Sequence, residues 1–519
     1  LVALGLKRAL SAVEPDSAYR WDVLGVLVLY GGVLLYLLGL LVLERRTIGV
    51  LGRSPLLGIS LVVTLVPIAR NLPPTAAVGL LAAAVTVMVL ADLTVFRGRH
   101  RALHNLIAPT EANAAATGVT PRELFLDLVF VNALIQVTIL MARHPTLVGA
   151  AQGLVVLTLL WGAWCLSAQL GNVLRSESIL ARLRVLLIVA LIMMIGIAAP
   201  QAFERVSDGL PGPLIVVACY LALRVLHLAT RWRVTRQDPI RHRQMRRAAI
   251  SSAPALLLLL LAALASSQPH GGDKVGSLEN FLWLAAIIVD IASGYGVNLG
   301  FWRVPSAKHW SDRFELIMLI ALGQAIIATG MALFEVPISW PIIIAVALST
   351  VLLSALWWAY FDVDSIAGYR ALQACRRSHR AALARDAYVY LHLPMIAGLM
   401  LLAFGLRRLL ELIAHTSDSA HARFEGHSLA AGIILFLLAN QAFWWRIRRE
   451  IRWYRMIGIL LIAISATFGS QLPPLWALTV FTTATAVAML VDARRSRGLR
   501  GRLRKASSTT ITDSPPGRP

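Results

Sequence analysis

The sequence predicts an all-α, polytopic transmembrane helix bundle, and three observations predict it. Of 519 residues, 58% are hydrophobic and only 15% charged, against about 25% charged in an average soluble domain. Runs such as 248–267 and 314–333 carry at most one charge each, and they reach the ~20 residues a helix needs to cross ~30 Å of hydrocarbon. The basic residues gather between such runs, so the net charge of +22 reads as membrane orientation and not as nucleic-acid binding. A secreted disulfide scaffold, a nucleotide-binding α/β enzyme and a disordered tail protein are excluded on the same grounds. Cys165 and Cys219 lie in apolar runs and Cys375 in a basic stretch, without metal-like spacing. No metal and no cofactor is therefore expected.

The first element is a partial one. LVALGLKRAL at 1–10 begins like the middle of a helix and matches LLAFGLRRLL at 401–410, while NLPP at 71–74 matches QLPP at 471–474. The register holds throughout: Gly32 with Gly432, Arg46 with Arg446, Gly58 with Gly458, Asp92 with Asp492, Arg97 with Arg497. Apolar segments mimic one another in composition but seldom keep Gly, Pro-Pro, Asp and Arg in one register, so a tandem duplication is expected. Residues 1–97 then form the C-terminal part of a first module, with three complete spans and one partial, and the natural polypeptide is longer than this fragment. Residues 98–120 are expected as a cytoplasmic loop, 121–495 as a complete module, and 496–519 as a basic, disordered cytoplasmic tail.

In the complete module the apolar runs place twelve spans at 123–142, 147–170, 182–202, 212–230, 248–267, 278–301, 314–333, 338–361, 387–410, 428–446, 456–470 and 473–492. An even number puts both module ends on one side. Lys and Arg favour cytoplasmic loops, and they crowd three loops of one set, 231–247, 370–385 and 446–455, while 334–337 and 471–472 carry none. Module termini in the cytoplasm follow.

Polar residues inside the spans are the candidate functional groups, because an ionisable side chain at membrane depth costs at least ~2.5 kcal/mol and tends to mark an ion or proton path. Glu123 and Asp127 sit four apart and share a helix face. Asn132 and Gln136 point the other way, toward interhelix hydrogen bonding. Arg224 and His227 fall in the fourth span, Asp290 in the sixth and Asp362 at the end of the eighth. An unpaired buried charge is costly, so Arg224 should meet either Asp290 or Asp127. His392 in YLHLP could titrate near neutrality or be a satisfied packing residue beside Pro394. Trp161, Trp164, Trp357, Trp358, Trp444 and Trp445 are expected as interfacial anchors. There is no GxSxG, HExxH or phosphate-cradling loop, and neither a catalytic residue nor an enzymatic activity is expected.

Four blocks carry a resemblance. ELFLDLVFV at 123–131, DRFELIMLIALGQAIIATG at 312–330, WWAYFD at 357–362 and RDAYVYLHLPMIAG at 385–398 resemble, in that order, the signatures of the bacterial low temperature requirement protein A family. Where that family usually carries an acidic residue after LG in the seventh span, this chain has Gln324. The resemblance implies a multi-pass bacterial inner-membrane protein, and the family's name reports growth in the cold without giving an activity. Three functions compete. One is a transporter, with proton coupling as an option, in which Glu123, Asp127, Arg224, Asp290, Gln324, Asp362, Asp386 and His392 are the path candidates and the partners are membrane lipid and a small solute or proton. Another is a membrane-organising or lipid-interacting protein whose buried charges fix packing. The third is an integral membrane enzyme with a mouth at Asp362, Asp364, Asp386 and His379.

Overall fold

The structure is a computed structural model. It describes residues 1–11, 23–48, 53–94, 120–173, 179–204, 209–267, 273–296, 304, 306–334, 336–415, 422–469, 472–496 and 498. The expected inter-module loop up to residue 119 and the expected tail beyond 498 lie outside the described residues. Every regular element among those residues is helical, and two compact units form, residues 1–115 and 116–519.

The first unit holds α1 (Val2–Ser11), α2 (Val23–Ile48), α3 (Arg53–Ala69) and α4 (Pro74–Thr94). Its core is Val26, Leu29, Tyr30, Leu37, Val62, Ala77 and Leu81. Buried Tyr30 donates to the Ala77 carbonyl at 2.7 Å, joining α2 to α4 and satisfying a hydroxyl that burial would otherwise leave unpaired.

The second unit runs α5 (Pro121–Arg143), α6 (Leu147–Val173), α7 (Ile179–Ala198), α8 (Gly212–Thr235), α9 (Pro239–Ser267), α10 (Asp273–Gly296), α11 (Ala307–Ala332) and α12 (Trp340–Phe361). It continues with α13 (Asp364–Ala374), α14 (Arg377–Leu383), a π turn (Ala384–Tyr390), α15 (Leu391–His415), α16 (Ala422–Arg448), α17 (Trp453–Gly469) and α18 (Pro474–Arg495). A helix stands at each of the twelve expected spans. Twelve described helices, two in the first unit and ten in the second, are long and apolar enough to cross a membrane; α3 and α17 are apolar but shorter, and α10, at the expected sixth span, is in neither group.

Two of the basic segments expected as loops are folded. Between α8 and α9 only three residues intervene, and Arg241, Arg243, Arg246 and Arg247 lie on α9, which starts at Pro239 and not near 248. Arginine is a good helix former, so the helix runs on past its apolar stretch. The segment 362–386 likewise forms α13, α14 and the start of the π turn.

Helices α15 and α16 are the most enclosed spans, two thirds (67%) of each apolar window being buried. They touch through glycine: a Cβ on Gly398 would lie 2.6 Å from the Phe436 nitrogen, and one on Gly432 would overlap the Leu402 nitrogen. In hydrocarbon, where no hydrophobic force draws helices together, such close backbone approach supplies the packing energy.

Candidate functional site

Three buried polar centres form in the second unit. The first begins at the capped start of α5. Thr120 caps the helix, its hydroxyl accepting from the Glu123 amide, and Glu123 reaches back to accept from the Thr120 amide at 2.9 Å. Glu123 also accepts from His309 Nε2 at 3.1 Å. One turn further in, Asp127 is 1% exposed. It takes a two-pronged bond from Arg313 of α11, at 2.7 and 2.9 Å, and a third from Trp164 Nε1 of α6 at 2.8 Å. Three charge-assisted donors on one carboxylate compensate its removal from water.

Around that pair the aromatic rings close ranks. Phe314 presents its ring to Trp161, Trp164, Trp310, Tyr388 and His392, all at centroid distances of 5.1–5.9 Å. His392 stacks on Tyr388 and has both ring nitrogens engaged: Nδ1 faces the Ala387 carbonyl at 3.1 Å and Nε2 the Tyr360 hydroxyl at 2.8 Å. A carbonyl can only accept, so Nδ1 carries the hydrogen and Tyr360 donates to Nε2. That is the satisfied packing histidine of the two expectations. Pro394 has no amide hydrogen to offer, and the Val389 carbonyl five residues before it accepts from Trp161 Nε1 at 3.0 Å. The π turn thus has a side-chain partner for its backbone, in the setting where such bulges tend to serve function.

The second centre is a cavity of about 170 Å³ between α6, α8, α9, α10 and the π turn. Arg224 of α8 meets Asp290 of α10 at 2.9 Å on its wall, with Tyr220 donating to the same carboxylate at 3.4 Å. Of the two partners left open for Arg224, the structure selects Asp290. His227, one turn along α8, lines the same space. Its Nδ1 donates to the Leu223 carbonyl at 2.7 Å, and Nε2 faces Ser167 Oγ at 3.3 Å. Ser167 itself donates to the Ala163 carbonyl at 2.9 Å, so it is the hydroxyl oxygen that faces Nε2. Trp161, stacked on Trp164 at 5.2 Å, and Val389 form a wall shared with the first centre.

The third centre ties the starts of α13 and α17 and the end of α18 to α16. Arg455, 1% exposed, binds Asp364 at 2.9 Å, Asp492 at 2.6 Å and the Asn440 carboxamide. Arg452 adds a second cation to Asp364 at 2.8 Å.

The chain belongs to the bacterial low temperature requirement A protein family. The family's model matches residues 118–491. An uncharacterized protein of Rhizobium meliloti (strain 1021) is 26% identical over 400 residues, covering 73% of this chain and 89% of the relative. No solved structure matches. The four blocks that carry the family resemblance converge in space: Asp127, Arg313 and Phe314, Tyr360, and Tyr388 with His392 all meet in the first centre.

Of the eight path candidates, Arg224 and Asp290 line the cavity. Glu123, Asp127 and His392 are locked in the first centre and do not line it. Gln324 donates to Thr138 at 2.7 Å, wholly buried between α11 and α5. Asp386 pairs with Arg385 and with Arg446 at 2.8 and 2.9 Å, and Asp362 lines the recess at the third centre with Asp364. Of the acidic mouth considered for an enzyme, Asp364 is enclosed by Arg452 and Arg455, and Asp386 pairs with Arg385 and Arg446. Trp357, Trp358 and Trp445 are 44–46% exposed, as anchors should be, but Trp161, Trp164 and Trp444 are at most 3% exposed. The correction has a physical reason: buried indole needs an acceptor, and Val389 and Asp127 supply it for Trp161 and Trp164. Sequence reading missed Arg313 and Arg455 as partners, because each sits just outside an apolar run and looks there like an orienting charge.

Proposed function

We propose that the chain is a membrane transporter whose path passes the cavity bearing Arg224, Asp290 and His227. What supports this reading is the contrast between two ion pairs. Asp127 and Arg313 are shut away at 2% and 0% side-chain exposure, whereas Asp290 and Arg224 keep 21% and 13% at the cavity wall. A pair that remains reachable can exchange its partner for a solute group or a proton, and intramembrane ionisable groups facing a cavity are the usual carriers of such traffic. His227 Nε2 would take part in proton coupling, and the π turn, whose Val389 borders both centres, would pass a change in the cavity to the family core. The reading assigns no catalytic chemistry to the chain. It places the protein in the bacterial inner membrane with both module termini in the cytoplasm.

The organising role has its own observation, the complete enclosure of Asp127 and Arg313, and we assign it to that pair. Both assignments are tested together in liposomes holding the full chain and a trapped pH dye. Under an imposed gradient, the parent and Asp127→Asn molecules that fold should pass protons or a screened solute, and Asp290→Asn should not. Equal flux through parent and Asp290→Asn would sink the proposed path.

A further inference from the structure

A second, separate feature points to a lipid. Between α7 and α8 lies an open groove of about 460 Å³, walled by Leu183, Leu187 and Leu226, with Arg184 and Arg233 on its lining and no carboxylate among the residues that line it. We propose that this groove binds an anionic phospholipid, its phosphate held by Arg184 and Arg233 and its acyl chain lying along the leucines.

Four observations favour that occupant. Leu183 and Leu187 are 49% and 47% exposed, a surface that welcomes hydrocarbon. Neither guanidinium has an ion pair or hydrogen bond among the described residues, in contrast to the paired Arg224, Arg313, Arg446 and Arg455. Arg184 near the start of α7 and Arg233 near the end of α8 come to the same end of an antiparallel pair, and the basic start of α9, with Arg241, Arg243, Arg246 and Arg247, follows after only three residues. Such a concentration of cations between spans is what recognises anionic headgroups. Trp232, 48% exposed beside Arg233, is the residue type that settles at headgroup depth, which sets Arg233 level with lipid phosphate.

The test uses the full chain, purified in detergent and delipidated, with fluorescent phosphatidylglycerol as the probe. At about 1 kcal/mol for each basic residue, Arg184→Gln with Arg233→Gln should weaken binding roughly thirty-fold. Arg233→Gln alone, a change at an exposed residue that folding tolerates, should weaken it roughly five-fold. Replacing both by Lys should restore most of the affinity, and Arg376→Gln, at an exposed arginine on the far segment before α14, should change nothing. Unaltered binding by the Arg233→Gln variant overturns the site. So does equal competition by phosphatidylcholine, which would mean that the leucines alone hold lipid. Displacement of the probe by glycerol phosphate as effectively as by unlabelled phosphatidylglycerol would make it a phosphate site without a lipid.

Discussion

At the scale of the residue, Asp127 and Asp290 look alike in the sequence, each a carboxylate within an apolar run, and the structure gives them opposite surroundings. Asp127→Asn removes the charge that balances Arg313 while keeping the shape. The cation is left buried without a counter-charge, and stability should fall by about 3 kcal/mol. A detergent melting curve would register that loss, with a much smaller shift for Asp290→Asn, whose partner can reach the cavity. The two histidines, His392 and His227, are alike in burial, at 0% and 2% exposure, and each has both ring nitrogens engaged. His392→Gln and His227→Gln should therefore both lower the melting temperature, but only His227→Gln, at the cavity wall, should reduce solute flux per folded molecule in liposomes. Equal flux through parent and His227→Gln would contradict that division. The sequence made the spacing of Glu123 and Asp127 visible, since four residues put two groups on one face. It could not reveal Arg313, because the residue precedes the apolar run 314–333 and only the folded arrangement of α5 against α11 makes it an inside residue.

At the scale of the element, hydropathy located the spans well because backbone groups in lipid must be satisfied within the helix, which makes each apolar run a helix of its own length. It failed at the ends. The basic start of α9 and the turn of α13 into α14 are polar helices, and their course depends on packing against neighbours and not on transfer to hydrocarbon. The π turn was legible only as a Pro394 kink, for the widening requires an acceptor for Trp161 that sequence cannot display. The contact of α15 with α16 yields a direct prediction. Gly432→Val would drive a branched side chain into the Leu402 backbone, and the helices would have to part. Folded yield in detergent gel filtration should drop sharply, while Gly323→Val, at a position with nothing within 4 Å, should elute as the parent does.

At the scale of the whole molecule, the register seen in the sequence has a counterpart in three dimensions. Helices α3 and α17 span 53–69 and 453–469, and α4 and α18 begin at Pro74 and Pro474. The close approaches repeat as well: a Cβ on Gly32 would meet Val2, and one on Gly432 would meet Leu402. Gly58 faces Met88 just as Gly458 faces Ala488. The two segments share these glycine contacts. They differ where charge is involved. Arg455, which gathers Asp364, Asp492 and Asn440 in the second, has Pro55 at the matching place in the first, and Leu40 stands where Asn440 does. A buried arginine with two carboxylates ties three helix ends together, and losing one partner of such a set is costly. Proline offers no such bond, so the first hairpin should open more readily. Hydrogen exchange on the full chain in detergent micelles should therefore show α17 and α18 more protected than α3 and α4, with the difference greatest at the ends near Arg455. Arg455→Leu should bring the exchange of α17 and α18 toward that of α3 and α4 without altering the latter. Equal protection in the parent would mean that the glycine contacts alone hold both hairpins, and the arginine would then need another explanation.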